Sequence, residues 1–124
     1  MEENKTHGAF SWNELTTSDT KAALGFYTKL FGWDTEVMHM GAMDYTIVKA
    51  GGEMVGGVMA APPGAPTAWT AYVTVDNIDE TARLAESLGG KICVPPTDIP
   101  EVGRFAVITD PQGAVIAAIT YVKK

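Results

Sequence analysis

Cysteine is almost missing from this chain: Cys93 is the single one in 124 residues. One thiol excludes an internal disulfide and any multi-cysteine metal site, and its apolar neighbours Ile92 and Val94 predict a buried structural role. Histidine is nearly as scarce. His7 falls on the N-terminal tail and His39 beside a hairpin, which leaves few imidazoles for a metal centre. Positive charge is in the minority too, with 9 Lys and Arg against 15 Asp and Glu and a net charge of −6. That balance excludes the basic face needed to neutralise phosphates, so no nucleic-acid partner is expected. No apolar run approaches the ~18 residues of a membrane span, and Met1-Glu2-Glu3-Asn4-Lys5 lacks the basic-then-apolar pattern of a secretory signal. A cytoplasmic protein without membrane contact is expected. Phosphate-cradling Gly-Lys-Ser or Gly-Lys-Thr loops, a His-Glu-x-x-His helix and a nucleophile elbow are likewise missing.

What is present is a hydrophobic fraction of 46%, enough for one globular domain over residues 1–124, and an internal repeat. At an offset of 58, Thr16 falls on Thr74, Leu30 on Leu88 and Gly32 on Gly90. A repeat found by register constrains architecture before any single residue does. The first module, about 8–60, reads as a strand Ala9–Thr16, a helix ending at Gly32, and strands Asp34–Met40, Asp44–Ala50 and Glu53–Ala60, with Gly51-Gly52 as the tight hairpin turn. A proline-rich linker, 61–67, follows. The second module, about 68–122, reads as Trp69–Val75, a helix ending at Gly89-Gly90, and strands Lys91–Val94, Arg104–Thr109 and Ala114–Val122. The segment Pro95–Val102 reads as a loop stiffened by three prolines. The class is α+β, βαβββ twice.

The first helix carries Ala23, Phe26, Tyr27, Leu30 and Phe31 at the spacing of one apolar stripe, which assigns Tyr27, Phe26 and Phe31 to the core. Ser18 or Asp19 is placed to cap its start. The second repeats the stripe with Thr81, Leu84, Ala85 and Leu88 behind Asp76 or Asp79 as cap.

Several of these segments carry a resemblance: Asp19 with Phe26-Tyr27-Thr28-Lys29-Leu30-Phe31-Gly32-Trp33, then Val75-Asp76-Asn77, Leu88-Gly89-Gly90 and Asp110-Pro111-Gln112-Gly113. Together they span nearly the whole chain, and in this order the chain resembles the vicinal oxygen chelate superfamily of glyoxalases, bleomycin-resistance proteins and extradiol dioxygenases. Trp12-Asn13-Glu14-Leu15 and Gly103-Arg104-Phe105-Ala106-Val107 resemble a glyoxalase-like branch. The resemblance implies two βαβββ modules forming a U-shaped, partly closed mixed sheet around a cleft. In metal-dependent members, His, Gln or Glu side chains from the first and fourth strand of each module hold a divalent ion there. Carried over by position, those ligands fall on Trp12, Gly56 or Gly57, Thr70 and Ala117. Indole, hydrogen and methyl offer no lone pair and a lone Thr hydroxyl binds such ions poorly, so neither a metal nor another cofactor is expected.

Alternation along the strands then names the residues expected to meet a small-molecule ligand: Phe10, Trp12, Glu14, Thr70 and Tyr72, with Arg104 at the cleft mouth. Glu14 is the sharpest. A carboxylate beside aromatic rings is desolvated, and it can act as a general acid or base or pair with a cation stacked on Trp12. The plainer reading has it held by backbone donors or by Arg104. The favoured function is a metal-free binder of a small molecule, related to the resistance proteins. The alternative is a glyoxalase-like lyase, isomerase or dioxygenase using Glu14 or a rearranged site with Glu14, His39 or Asp44. A C2 homodimer is expected, because the superfamily resemblance implies that a second copy covers exposed edges.

Overall fold

The computed structural model describes residues 5–40 and 43–122; the stretch Met1–Asn4 read above for a secretion signal lies outside them. The elements follow as β1 (Phe10–Thr17), α1 (Thr20–Phe31), β2 (Asp34–Met40), β3 (Met43–Ala50), β4 (Glu53–Ala60), β5 (Ala68–Thr74), α2 (Ile78–Ser87), β6 (Lys91–Ile99), β7 (Gly103–Thr109) and β8 (Val115–Tyr121). This is the α+β class with the double βαβββ order. Among the described residues, no helix is long and apolar enough to cross a membrane.

The chain divides into two compact units, one running from Trp12 to Thr70 and the other from Ala71 onward together with the segment ending at Ser11. The unit boundaries therefore differ from the modules expected at about 8–60 and 68–122. The leading segment joins the second unit because its backbone is hydrogen-bonded there: Gly8 N–H donates to Thr74 O and Thr74 N–H to Ala9 O. His7 Nδ1 also accepts from the Asp76 N–H at 2.9 Å.

In the first unit the strand order is β2-β3-β4-β1. β1 and β4 run parallel, and the other neighbours are antiparallel. The hairpin between β3 and β4 turns on Gly51 and Gly52, at φ 60° and 81°, a left-handed pair that β-carbon-bearing residues adopt only with strain. The core is Leu15, Val48 and Val58, with Ala23, Leu24 and Tyr27 of α1 against it. Asp19 caps α1 by accepting from the Ala22 N–H, and Gly32 ends it in the left-handed region. The expected stripe is displaced around the helix: Tyr27 is half-buried as expected, but Phe26 is 61% and Phe31 58% exposed. The face against the core is Ala23-Leu24-Tyr27, which keeps Ala23 and Tyr27 of the expected stripe and takes Leu24 in place of Phe26, Leu30 and Phe31.

In the second unit the order is β5-β8-β7-β6, again with one parallel pair, β5 with β8. Its core gathers Val75, Ile78, Ala106, Ile108 and Ala118. The cap of α2 is Asn77, not Asp76 or Asp79, since its side chain accepts from the Glu80 N–H. Leu84 and Leu88, placed above on the apolar stripe, are exposed; Ile78 and Ala82 are the buried residues. The proline segment expected as a loop is strand as far as Ile99, with register shifts at Val94 and between Val94 and Thr97. Prolines fit there because β6 ends the second unit's strand order, where a missing N–H costs no ladder bond. Cys93 is exposed, not buried. The alternation of β6 turns Ile92 and Val94 inward and Cys93 outward, where its sulfur lies 2.7 Å from Thr109 Oγ1.

Candidate functional site

Strand pairing in the first unit builds a small polar row on an apolar sheet. Parallel register sets Glu14 of β1 beside Gly57 of β4, and antiparallel register sets Ile47 of β3 on the other side of Gly57. Tyr45, two residues before Ile47, shares that face. Gly57 has no side chain to hold its neighbours off, and the Tyr45 ring lies across it. A β-carbon built on Gly57 would come within 1.9 Å of Tyr45 Oη and 2.2 Å of the ring.

The phenol is thereby delivered between two residues of β1. Trp12 Nε1–H donates to Tyr45 Oη at 2.8 Å, and the Tyr45 hydroxyl donates to Glu14 Oε1 at 2.9 Å. All three side chains are half-buried, so the bonds are shielded from water without being sealed off. The donor on Glu14 is one the sequence reading did not name; it expected backbone or Arg104. The register also settles which glycine faces Glu14. Gly57 does, whereas Gly56 is required for a different reason: a β-carbon there would meet the backbone oxygen of Asn13 at 2.7 Å.

The second unit repeats this geometry with other side chains. Tyr72 of β5 lies beside Ala117 of β8, Val107 of β7 flanks Ala117, and Phe105 sits two residues before Val107. The Tyr72 and Phe105 rings are 6.3 Å apart at centroids. By position, Glu14 corresponds to Tyr72, Gly57 to Ala117 and Tyr45 to Phe105. Tyr72 is buried, Thr70 is half-buried, and Phe10 is 69% exposed on β1.

Arg104 is committed within its own unit. Its Nε and Nη2 donate to the two carboxylate oxygens of Asp79, each at 3.0 Å, and Nη1 donates to Asp98 at 3.1 Å. The hydrogen bonds from Arg104 hold the Asp79 carboxyl below its ordinary pKa, and those carboxylates raise the guanidinium's. Arg104 thus ties α2 to β7 and lines an open surface depression with Asp98, Thr120 and Tyr121. His39 pairs with Asp44 at 2.7 Å in the open. Among the described residues, no three of His, Cys, Asp and Glu gather as a metal site would need.

Tyr45 is legible in the repeat once the offset grows to 60, which lays it on Phe105, an aromatic on an aromatic; the offset of 58 holds as far as Gly32 and Gly90 and does not reach the third strands.

Two βαβββ units in tandem with paired first and fourth strands define a known class. The chain belongs to the Glyoxalase/Bleomycin resistance protein/Dioxygenase superfamily, whose family model matches residues 9–118. A Mycobacterium tuberculosis protein provisionally named as the glyoxylase CFP32 is 44% identical over 114 residues, covering 90% of this chain and 44% of that protein. The anthracycline biosynthesis protein DnrV of Streptomyces peucetius is 35% identical over 126 residues, covering 89% and 46%. The chain thus spans less than half the length of these relatives. In fold it is similar to the hypothetical protein BH1468 from Bacillus halodurans, at a TM-score of 0.69 and 10% identity, covering 96% of this chain and 98% of that one.

Proposed function

We propose that this superfamily member binds a small organic molecule at Trp12 and Glu14 without the divalent metal of its metal-dependent relatives, as a cytoplasmic protein. The observation that carries this reading is the Tyr45 ring lying across Gly57. At the two inherited ligand positions of the first unit stand an indole and a glycine, and the space a ligating side chain at 57 would need is filled by a phenol. Thr70 on β5 and buried Ala117 on β8 hold the positions in the second βαβββ module. These residues do not fit a transition metal, which requires thiolate, imidazole or carboxylate donors. Half-buried aromatics around a few placed polar groups suit an organic ligand. The relatives' names, a glyoxylase and an anthracycline biosynthesis protein, both belong to small-molecule chemistry. A catalytic version of the same site, with Glu14 moving a proton, is favoured by the Tyr45 hydroxyl already bonded to that carboxylate.

Elemental analysis and a thermal-shift screen of metabolites test the reading together. The expected result is no stoichiometric Zn, Ni, Fe or Mn, with a compound whose binding Trp12→Ala weakens at least tenfold, about 1.4 kcal/mol of lost contact. One tightly held transition metal per chain overturns it. Turnover of the bound compound that Glu14→Gln abolishes selects the catalytic version.

A further inference from the structure

We infer that Tyr45 is the positioning residue of this site: its hydroxyl, admitted by Gly57, fixes the direction in which Glu14 presents its carboxylate. The inference rests on the reading that Glu14 meets the ligand, and deepens it.

The direction of the hydrogen bonds follows from their chemistry. An indole N–H can only donate, so Tyr45 Oη must accept from Trp12, and the single phenolic proton goes to Glu14. Glu14 Oε1 is therefore held as an acceptor, and its carboxylate cannot rotate without breaking the row. Trp12 is fixed by the same oxygen from the other side. One phenol thus orients both residues proposed to touch the ligand.

The second unit separates the ring's role from the hydroxyl's. There the same position of the third strand carries Phe105, packed beside Tyr72, whose partner on the fourth strand is Ala117. An aromatic ring at this place is common to both halves and suffices for packing. The hydroxyl is the addition, and it occurs where the neighbouring first-strand residue is a carboxylate. The neighbour on the fourth strand is correspondingly reduced to glycine, since even one β-carbon would strike the ring. Because the atoms struck are the far end of a side chain, a methyl at 57 would swing the phenol away and leave the backbone in place.

The test uses the whole protein and needs no ligand. In uniformly ¹⁵N- and ¹³C-labelled protein, the Trp12 indole N–H is identified by its loss in Trp12→Phe and the Glu14 side-chain carboxyl carbon by its loss in Glu14→Gln. Tyr45→Phe, which copies the second unit, is expected to keep the fold, lower Tm by about ten degrees at most as the loss of its two half-buried hydrogen bonds does, and shift both signals. Gly57→Ala should shift the same two signals, and combining it with Tyr45→Phe should add little. The indoles of Trp33 and Trp69 should stay where they are. A lower Tm in Tyr45→Phe with both signals unmoved would reduce Tyr45 to packing and overturn the inference, as would unmoved signals in Gly57→Ala. A protein that binds no compound yet shows these shifts would sink the proposed function and leave the hydrogen-bond row intact.

Discussion

Adjacent glycines on β4 serve different ends, and the difference is measurable. Gly57 makes room for a movable side chain, whereas Gly56 makes room for backbone: the Asn13 carbonyl lies 2.7 Å from where its β-carbon would be. A backbone oxygen in a paired strand cannot step aside cheaply. Gly56→Ala is therefore expected to lower unfolding stability by about 1–3 kcal/mol, the usual range for overpacking a tight site, while Gly57→Ala costs less and acts on the site. Urea unfolding of the two variants decides this, and equal costs would contradict the distinction. Cys93 makes the complementary point. Its apolar neighbours in sequence said "buried", yet strand alternation sends adjacent residues to opposite faces, and the thiol is exposed.

At the scale of elements, the helix faces were legible in period and misread in phase. Both stripes had the right spacing, but the buried line of α1 is Ala23-Leu24-Tyr27 and that of α2 is set by Ile78 and Ala82. Ala23 and Ala82 stand on those lines, where a small side chain lets the axis come closer to the sheet, and Phe26, Leu30, Leu84 and Leu88 are left exposed. α2 is further secured by the bidentate Asp79–Arg104 pair, and this sets a pH dependence. The Asp79 carboxyl is held below its ordinary value of 3.8 by hydrogen bonds from Arg104. The unfolded chain thus binds the proton first, so this contribution is complete above about pH 4 and is lost as pH falls through the lower folded value. Both partners are well exposed, which screens the effect to a modest size. Asp79→Asn should accordingly lower stability at neutral pH and make no difference in strong acid. Stability curves that stay parallel for the variant and the native protein from pH 7 to pH 2 would remove the pair from the account.

For the molecule as a whole, the exposed apolar residues of α1 are the conspicuous feature: Phe26, Leu30 and Phe31 lie open on one helix, along with unpaired sheet edges at β2 and β6. An exposed apolar patch of this kind marks an association surface, and we expect a C2 homodimer. Light scattering at micromolar concentration should return twice the chain mass of 13.2 kDa, and Phe26→Glu with Phe31→Glu should return the monomer. A native protein already at 13.2 kDa ends this expectation.

The sequence by itself determined the class, the double βαβββ order, the Gly51-Gly52 turn and the helix end at Gly32, and it narrowed the cap of α1 to Ser18 or Asp19, because each rests on local chemistry: periodicity, positive φ and a side-chain acceptor within one turn. It also singled out Trp12 and Glu14 by alternation with the resemblance. Tertiary structure decided the rest. That Gly57 rather than Gly56 faces Glu14 depends on the register of two strands more than forty residues apart. That Tyr45 is the residue between Trp12 and Glu14 depends on three strands meeting, one of which the repeat displaces by two residues. The helix phases depend on which side chains the sheet lets closest. Contacts of this kind are set by packing between distant segments, and no local pattern in the chain encodes them.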